Sequence, residues 1–525
     1  MKILQNLLLR VPAIPMPSGW FGFAIYTVVL AAIWYNLPPL YITGHAATAT
    51  FTIGAIALWR YGWGLTNLIR AAIYTKLVFP RWRARVSQHV EELLPPKIYF
   101  LITTYRVKTE TSIQTIHAAV VEAIASGVPV TIVASIVEMA DELLYKKIFT
   151  DLNPPSHIVL KIVRIPGTGK RDALAQGFKA ISRDNPPEGA VVAVIDGDTM
   201  LTPGTLRKCT PFFALHPNLG ALTTDEICHV PQSSTLFREW FDLRFSQRHI
   251  QMASVSLSRR VLTLTGRMSM FRADVVVHPE FIHHVTNDFL DHWRLGRFRF
   301  LTGDDKSSLY WVLKQGLEQI YVPDVRVVTM EEPVTGVFVV DATKLMFRWF
   351  GNQMRTNARI LALTPARMPL FVWWSAFDQR LSMWTTLAGP TFAFMITIQG
   401  GIIPLLYYFA WVGFTRWIMA MTLLFSRPSV NWRYPFLLYF NQVYGSIIKV
   451  YVMFRLDRQS WTRQKTKLNR DITGWKAIWM QYSSAFVNAV AVIVFVAAIG
   501  WFTHVFKLPE TAFCQLFTCT DRNFL

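Results

Sequence analysis

Apolar positions in this chain follow two regimes. Near both ends they run on for helix-long stretches, and in the middle they come in short bursts between amphipathic segments. Trp20 to about Leu40 is continuous and nearly uncharged, and about Ala47 to Ile69 carries Arg60 as its one charge, so both read as membrane helices. Toward the other end lie Thr385–Trp411, Ile418–Phe425, Tyr434–Phe454 and Ala485 to about Phe506, the second too short to span by itself. Between the ends, apolar bursts predict strands at Ile98–Thr104, Val130–Ala134, Ile158–Val163, Val191–Ile195 and Leu219–Thr224. Helical periodicity falls at about Thr111–Ser126, Glu138–Phe149, Lys170–Ser182, Pro203–Phe213 and Thr235–Ser254. Strands alternating with helices predict βαβ units, an α/β domain with a mostly parallel sheet, and ligands at the C-terminal ends of its strands.

Composition sharpens this division. The 525 residues are 52% hydrophobic with a mean hydropathy of +0.29, which favours a membrane protein over a soluble one. The expected organisation is an N-terminal membrane segment over 1–95, a soluble domain over 96–335, interfacial helices over 336–383 and a C-terminal membrane region with a tail over 384–525. The interfacial assignment rests on Asp341 to about Met383, where Phe347, Trp349, Phe350, Trp373 and Trp374 interleave with Arg348, Arg355, Arg359, Arg367 and Arg380. The first apolar stretch lacks the cleavage signature of a signal peptide, so it reads as a retained helix. Basic residues Arg70, Lys76, Arg81, Arg83 and Arg85 follow the second helix and Arg455–Arg470 follows Tyr434–Phe454. By the positive-inside rule both flanks, the N-terminus and the soluble domain are cytoplasmic, which predicts a multi-pass protein with about five crossings and a tail outside.

A net charge of +20 suits anionic headgroups or a phosphorylated substrate. Nucleic acid is not an expected partner, because the basic residues are scattered around the membrane segments and no nucleic-acid module is present. Cys209 and Cys228 read as free thiols, while Cys514 and Cys519 form a candidate pair if the tail is outside. No spacing reads as a zinc site, and no G-x-G-x-x-G or Walker A loop occurs.

The chemistry begins at Val191–Thr199, V-V-A-V-I-D-G-D-T, a buried strand ending in Asp196 and Asp198. Two carboxylates either side of one glycine suit a hard cation such as Mg2+ or Mn2+, which takes one or two protein carboxylates and binds the rest through phosphate and water. The bland alternative is an Asp-Gly turn. Thr103-Thr104-Tyr105 follows the first strand as a floor for a nucleotide, and Gly167-Thr168-Gly169-Lys170 opens a helix whose N-terminus and lysine favour an anion. Gly266 and Arg267 lie in a loop running into a short strand. Thr302-Gly303-Asp304-Asp305-Lys306 precedes a helix; one aspartate there serves as a cap, and a second exceeds what capping needs. A carboxylate near a reacting hydroxyl acts as general base. Arg348 and Trp349 offer a cation for phosphate and an indole for a sugar face.

The ordered set D-G-D, T-G-D-D-K and R-W between paired membrane helices resembles the processive family 2 glycosyltransferases, the hyaluronan, cellulose and chitin synthases, and within them the fungal branch near hyaluronan synthases. The resemblance covers roughly Ile98–Trp349 and implies a GT-A fold and an enzyme polymerising sugar from a UDP-sugar onto a growing polysaccharide, secreted through its own helices at the plasma membrane. It implies donor contacts from Thr103, Thr104, Tyr105, Lys170, Asp196 and Arg348, and a metal on Asp196 and Asp198. It places Asp305, with Asp304 beside it, as the catalytic base, and Trp349, Gly266 and Arg267 at the acceptor. The sequence departs from the family in two places: Leu345 stands where Q-x-x-R-W has glutamine, and Ala134 and Ser135 replace a paired acidic end of the second strand. Gln353 and Arg355 are candidates for the missing polar contact. The competing functions are a transferase placing one sugar on a lipid carrier, and a non-catalytic scaffold or transporter.

Three groups read as structural. His283, His284 and His292 match no ligand spacing and suggest a polar loop. Glu331 and Glu332 mark the exit from the soluble domain. Trp240, Arg244, Gln247 and Arg248 lie on a helix that either touches sugars or is simply amphipathic.

Overall fold

The computed structural model describes residues 17–39, 45–230, 235–459 and 474–502. The soluble part is built on strands β1 (Ile98–Thr103), β2 (Val130–Ile136), β3 (Ile158–Arg164), β4 (Val191–Asp196), β5 (Thr199–Met200), β6 (Leu219–His229), β7 (Met268–Arg272), β8 (Phe289–His292), β9 (Gly296–Arg299) and β10 (Glu318–Met330). Eight of them form one sheet in the order β3-β2-β1-β4-β7-β6-β10-β5, and β8 pairs with β9 as a separate hairpin. Every residue of β1 and β2 is buried, which is why they read as unbroken apolar bursts. Helices Thr109–Ser126 and Lys170–Arg183 lie between the parallel strands, the first closed by Gly127 at φ 75°.

The sheet is mixed rather than almost wholly parallel. It is parallel across β3, β2, β1 and β4 and between β6 and β10, while β7 runs antiparallel to both its neighbours. β10 had no counterpart in the predicted elements. Pro323 and Asp324 interrupt its apolar run, and its register against β6 shifts between Val322 and Arg326.

Helices Pro17–Tyr35, His45–Ile73, Leu370–Gly400, Ile403–Thr422, Tyr434–Phe454 and Trp475–Phe502 form the apolar part. Among the described residues, Leu370–Ile398, Ile403–Phe425 and Ile478–Gly500 are long and apolar enough to cross a membrane. The stretch Thr385–Trp411 is not one helix. It breaks at Gly401, with φ 74°, so Ile418–Phe425 is the end of a full-length helix and not a short separate piece. The boundary expected at Met383 also moves, because Leu370–Gly400 runs through it without a break and only Phe338–Ala362 remains as a separate amphipathic helix. Arg60, the one charge of the predicted stretch Ala47–Ile69, pairs with Asp378 of Leu370–Gly400. Cys514, Cys519 and most of the Arg455–Arg470 run lie outside the described residues.

Two ion pairs join the soluble part to the apolar part, one from the sheet and one from a helix. Arg427, in the turn after Ile403–Thr422, donates to both oxygens of Asp225 on β6 at 2.9 and 3.3 Å, and Arg326 of β10 adds a bond at 3.2 Å. Burial alone would raise the Asp225 carboxyl; the hydrogen bond from His249 and the Arg427 charge outweigh it and hold it well below the usual range. Arg433 and Asn431 donate to Glu239 of helix Thr235–Ser256 at 2.9 and 2.8 Å.

Candidate active site

The parallel strands end where the polar motifs gather. β1 and β4 pair so that Thr103 sits beside Asp196, and the Gly197 amide donates to the Thr103 carbonyl at 2.9 Å. A Cβ at Gly197 would lie 2.8 Å from Thr104 Cβ and 2.9 Å from the Thr103 oxygen. Glycine is therefore the residue that lets the turn close against β1, with an aspartate on either side.

Lys170 is the hub. Its Nζ lies 2.5 Å from Asp196 and 3.2 Å from Asp304, so it joins the end of β4 to the start of helix Asp304–Lys314. Gly167 and Gly169, at φ 76° and 130°, shape the turn that delivers it. The Gly266 loop closes from a third side: a Cβ there would meet Lys170 Nζ at 2.9 Å and Asp196 Oδ2 at 3.3 Å.

Burial would lower the Lys170 ammonium, but Asp196 and Asp304 outweigh it and keep the lysine charged. Asp196 is pushed up to about 7 by burial, with Asp198 and Asp304 adding to the effect against Lys170. The adjacent aspartates diverge. Burial raises both, but Lys170 and Arg171 hold Asp304 below its ordinary value, whereas Asp304 itself adds to the rise of Asp305. One is a fixed anion in an ion pair, and its neighbour is the more basic of the two carboxylates. Lys306 is lowered to about 8 by burial and is anchored on the Leu262 carbonyl at 2.8 Å.

Two cavities meet at this hub. One, of about 130 Å³, is bordered by Thr103, Thr104, Tyr105, Val107, Val137 and Ile165. The other, of about 210 Å³, opens toward the amphipathic helix Phe338–Ala362 and is bordered by Gly266, Arg267, Asp304, Asp305, Arg348 and Trp349. Lys170, Asp196 and Asp198 line both. The oxygen donors at the end of β4 fit a hard divalent cation of the kind that completes its shell with phosphate and water. Among the described residues no group of three or more Asp, Glu, His or Cys side chains is placed to hold a metal ion, so no closed all-protein metal cage is formed among them.

Trp349 lies over the indole of the fully buried Trp240, with ring centres 5.7 Å apart, and Arg244 packs 4.6 Å from its face. Arg267 reaches the cleft, but its guanidinium is taken by Glu226 at 2.9 Å and Glu331 at 2.8 Å. The pair Glu331-Glu332 thus continues the cleft wall at the end of β10, and Glu332 pairs with Lys108 at 2.7 Å. Leu345 also lines the cleft, while Gln353 and Arg355 do not. Asn352, which the sequence did not single out, does. The signal was its position one helical turn beyond Trp349, on the same face. His283 and His284 belong to helix Pro279–Thr286 rather than to a loop, and His284 lies 3.7 Å from Asp288.

Comparison with known proteins fits this architecture. Residues 95–352 match the family described as glycosyltransferase like family 2. The glycosyltransferase alg8 of Pseudomonas syringae pv. tomato is 45% identical over 482 residues, spanning 92% of this chain and 97% of the relative. The chain belongs to glycosyltransferase family 2. The glycosyltransferase alg8 of Azotobacter vinelandii is 43% identical over 483 residues, again spanning 92% and 97%. Both relatives are bacterial, and the expected fungal branch is corrected accordingly. Among solved structures, the mannosyltransferase PcManGT from Pyrobaculum calidifontis, in complex with GDP-Man and Mn2+, aligns at TM-score 0.45 and 15% identity over 76% of this chain and 97% of that one. Family 2 membership with this mixed sheet makes the soluble domain GT-A-like and the protein a membrane glycosyltransferase that uses a nucleotide-sugar.

Proposed function

We propose that this protein is a membrane-embedded, inverting polysaccharide synthase that transfers sugar from a nucleoside-diphosphate sugar, a UDP-sugar on the resemblance above, to the end of a growing chain. One observation carries the reading: Lys170, Asp196 and Asp198 border both cavities, and Asp304 and Asp305 line the larger one from the start of a helix, with Asp304 reaching Lys170. That is the arrangement a diphosphate leaving group needs between a nucleotide and an acceptor.

In this reading the nucleotide rests on Thr103, Thr104 and Tyr105, and Lys170 and Arg348 face its diphosphate. Asp196 and Asp198 would hold Mg2+ or Mn2+, which supplies charge neutralisation to the departing diphosphate. Trp349, backed by Trp240, offers a flat face to the acceptor sugar. Asp305 accepts the proton of the acceptor hydroxyl as its oxygen bonds to the anomeric carbon and the bond to the diphosphate breaks. No second carboxylic acid is required, because a diphosphate leaves without being protonated, in contrast to glycoside hydrolysis. Asp304, held ionised by Lys170, fixes the loop that carries the base. The soluble domain faces the cytoplasm of a plasma membrane and the polymer leaves between the apolar helices.

Purified protein in detergent, given Mn2+ and a panel of nucleotide-sugars, tests this by nucleoside-diphosphate release and product sizing. Because Ala134 and Ser135 stand where an acidic pair is expected, the panel includes GDP-sugars beside UDP-sugars. A long polymer supports the reading. A single sugar on lipid, or no turnover of any donor, overturns it.

A further inference from the structure

Leu345 leaves the cleft without the polar group that the R-W motif leads one to expect, and the structure shows another in its place. Asn352 lies on the same helix face, two turns beyond Leu345 and one beyond Arg348 and Trp349, and all four line the cleft. Its amide is oriented by its neighbours. Oδ1 accepts from Arg355 at 2.6 Å and from Thr302 at 2.7 Å. Arg355 is donor-only, so the oxygen must face it and the NH2 group must point the other way. Arg355 is itself buried and anchored on the Leu456 carbonyl at 2.9 Å, which prevents the amide from turning over. Nδ2 has no protein partner among the described residues, and the residue is only half-buried. The approach to the base loop is close: a Cβ at Gly303 would fall 2.9 Å from Asn352 Cγ.

We infer that Asn352 is an acceptor-binding residue, whose fixed NH2 donates to an oxygen of the terminal acceptor sugar and aligns the attacking hydroxyl on Asp305. The inference rests on the proposed transfer reaction. It assigns the polar contact to Asn352, not to Gln353 or Arg355, which lie outside the cleft lining.

Asn352→Asp separates the two functions of the amide. Its carboxylate still accepts from Arg355 and Thr302, so a merely structural role survives, while the donor is lost. Two rates are measured with the nucleotide-sugar that the wild type turns over: polymer synthesis, and slow donor hydrolysis with water as acceptor. Asn352→Asp is expected to lower polymer synthesis about tenfold or more, the scale of one lost hydrogen bond, and to leave hydrolysis, donor KM and melting temperature close to wild type. Asn352→Leu should lose polymer synthesis and also stability, because Arg355 and Thr302 are left unpaired. Polymer synthesis by Asn352→Asp within about twofold of wild type, or an equal fall in both rates, overturns the inference. If the wild type turns over no donor, the underlying reading fails instead, and the two failures are distinct.

Discussion

The Lys170 ammonium sits 2.5 Å from Asp196 and 3.2 Å from Asp304, so one cation ties the strand end that borders both cavities to the helix start that lines the larger one. Removing it leaves buried carboxylates uncompensated from both sides. Lys170→Ala is expected to abolish nucleoside-diphosphate release and to cost about 3–5 kcal/mol of stability, as breaking a buried ion pair does. Lys170→Arg should keep the charge but recover only part of the stability and little activity, because the Gly266 loop lies close against the Lys170 ammonium. Thermal melting and donor turnover read the two effects separately.

Asp305→Asn removes the proposed base while preserving size. Turnover should fall by about 10²–10⁴, the usual contribution of a general base, with donor affinity unchanged. Asp304→Asn should act differently, weakening donor binding and stability together because it breaks the pair to Lys170. Steady-state kinetics of both variants check the division; unchanged turnover in Asp305→Asn removes the assignment.

Acidification should act through Asp196, whose carboxyl is pushed up to about 7 by burial, with Asp198 and Asp304 adding and Lys170 opposing. A raised carboxyl value means the ionised, ligand-competent form is lost as pH falls through that range. The metal concentration giving half-maximal activity is expected to rise about tenfold per pH unit below neutrality, since one proton competes for the site. Titrating Mn2+ at several pH values measures it, and a flat dependence refutes the assignment.

The two crowded glycines should respond in opposite ways. At Gly197 an added Cβ meets the Thr103 carbonyl oxygen at 2.9 Å and Thr104 Cα at 3.0 Å, which are backbone atoms that cannot yield. Gly197→Ala is expected to destabilise by about 1–3 kcal/mol, the scale of overpacking. At Gly266 the obstacle is the end of Lys170, a flexible side chain, so Gly266→Ala should fold normally and raise the donor KM as the lysine swings off Asp196. Melting curves and donor kinetics distinguish the pair.

Much of the sheet was readable because its strands are buried on both faces. Val191–Ile195 and Val130–Ala134 have no solvent face to interrupt the apolar run, and the helices between them carry ordinary periodicity. β10 was not readable, since its bulge puts Pro323, Asp324 and Arg326 inside the strand. In the site, Asp196, Asp198, Lys170, Asp304 and Asp305 stood out as short motifs with polar residues at strand and helix ends. Asn352 did not, because its role depends on what Arg355 and Thr302 do to its amide, and Thr302 lies 50 residues away in sequence. The fate of Arg267 was equally hidden: Glu226, on β6, and Glu331, just past the end of β10, occupy it from distant parts of the chain. The apolar ends misled at Gly401, where one left-handed residue turns a single hydrophobic run into two helices.

The Arg427–Asp225 pair has a mechanical meaning. It fastens the turn after one apolar helix to the strand whose neighbours carry the reactive groups, and Arg326 grips the same carboxylate from β10. A catalytic domain bolted this way keeps a constant reach between its reacting atoms and the mouth of the helices. In the proposed polymerisation, advance of the product by one sugar would then come from the product sliding over side chains such as Trp349, and not from the domain rocking on the bilayer like a lever.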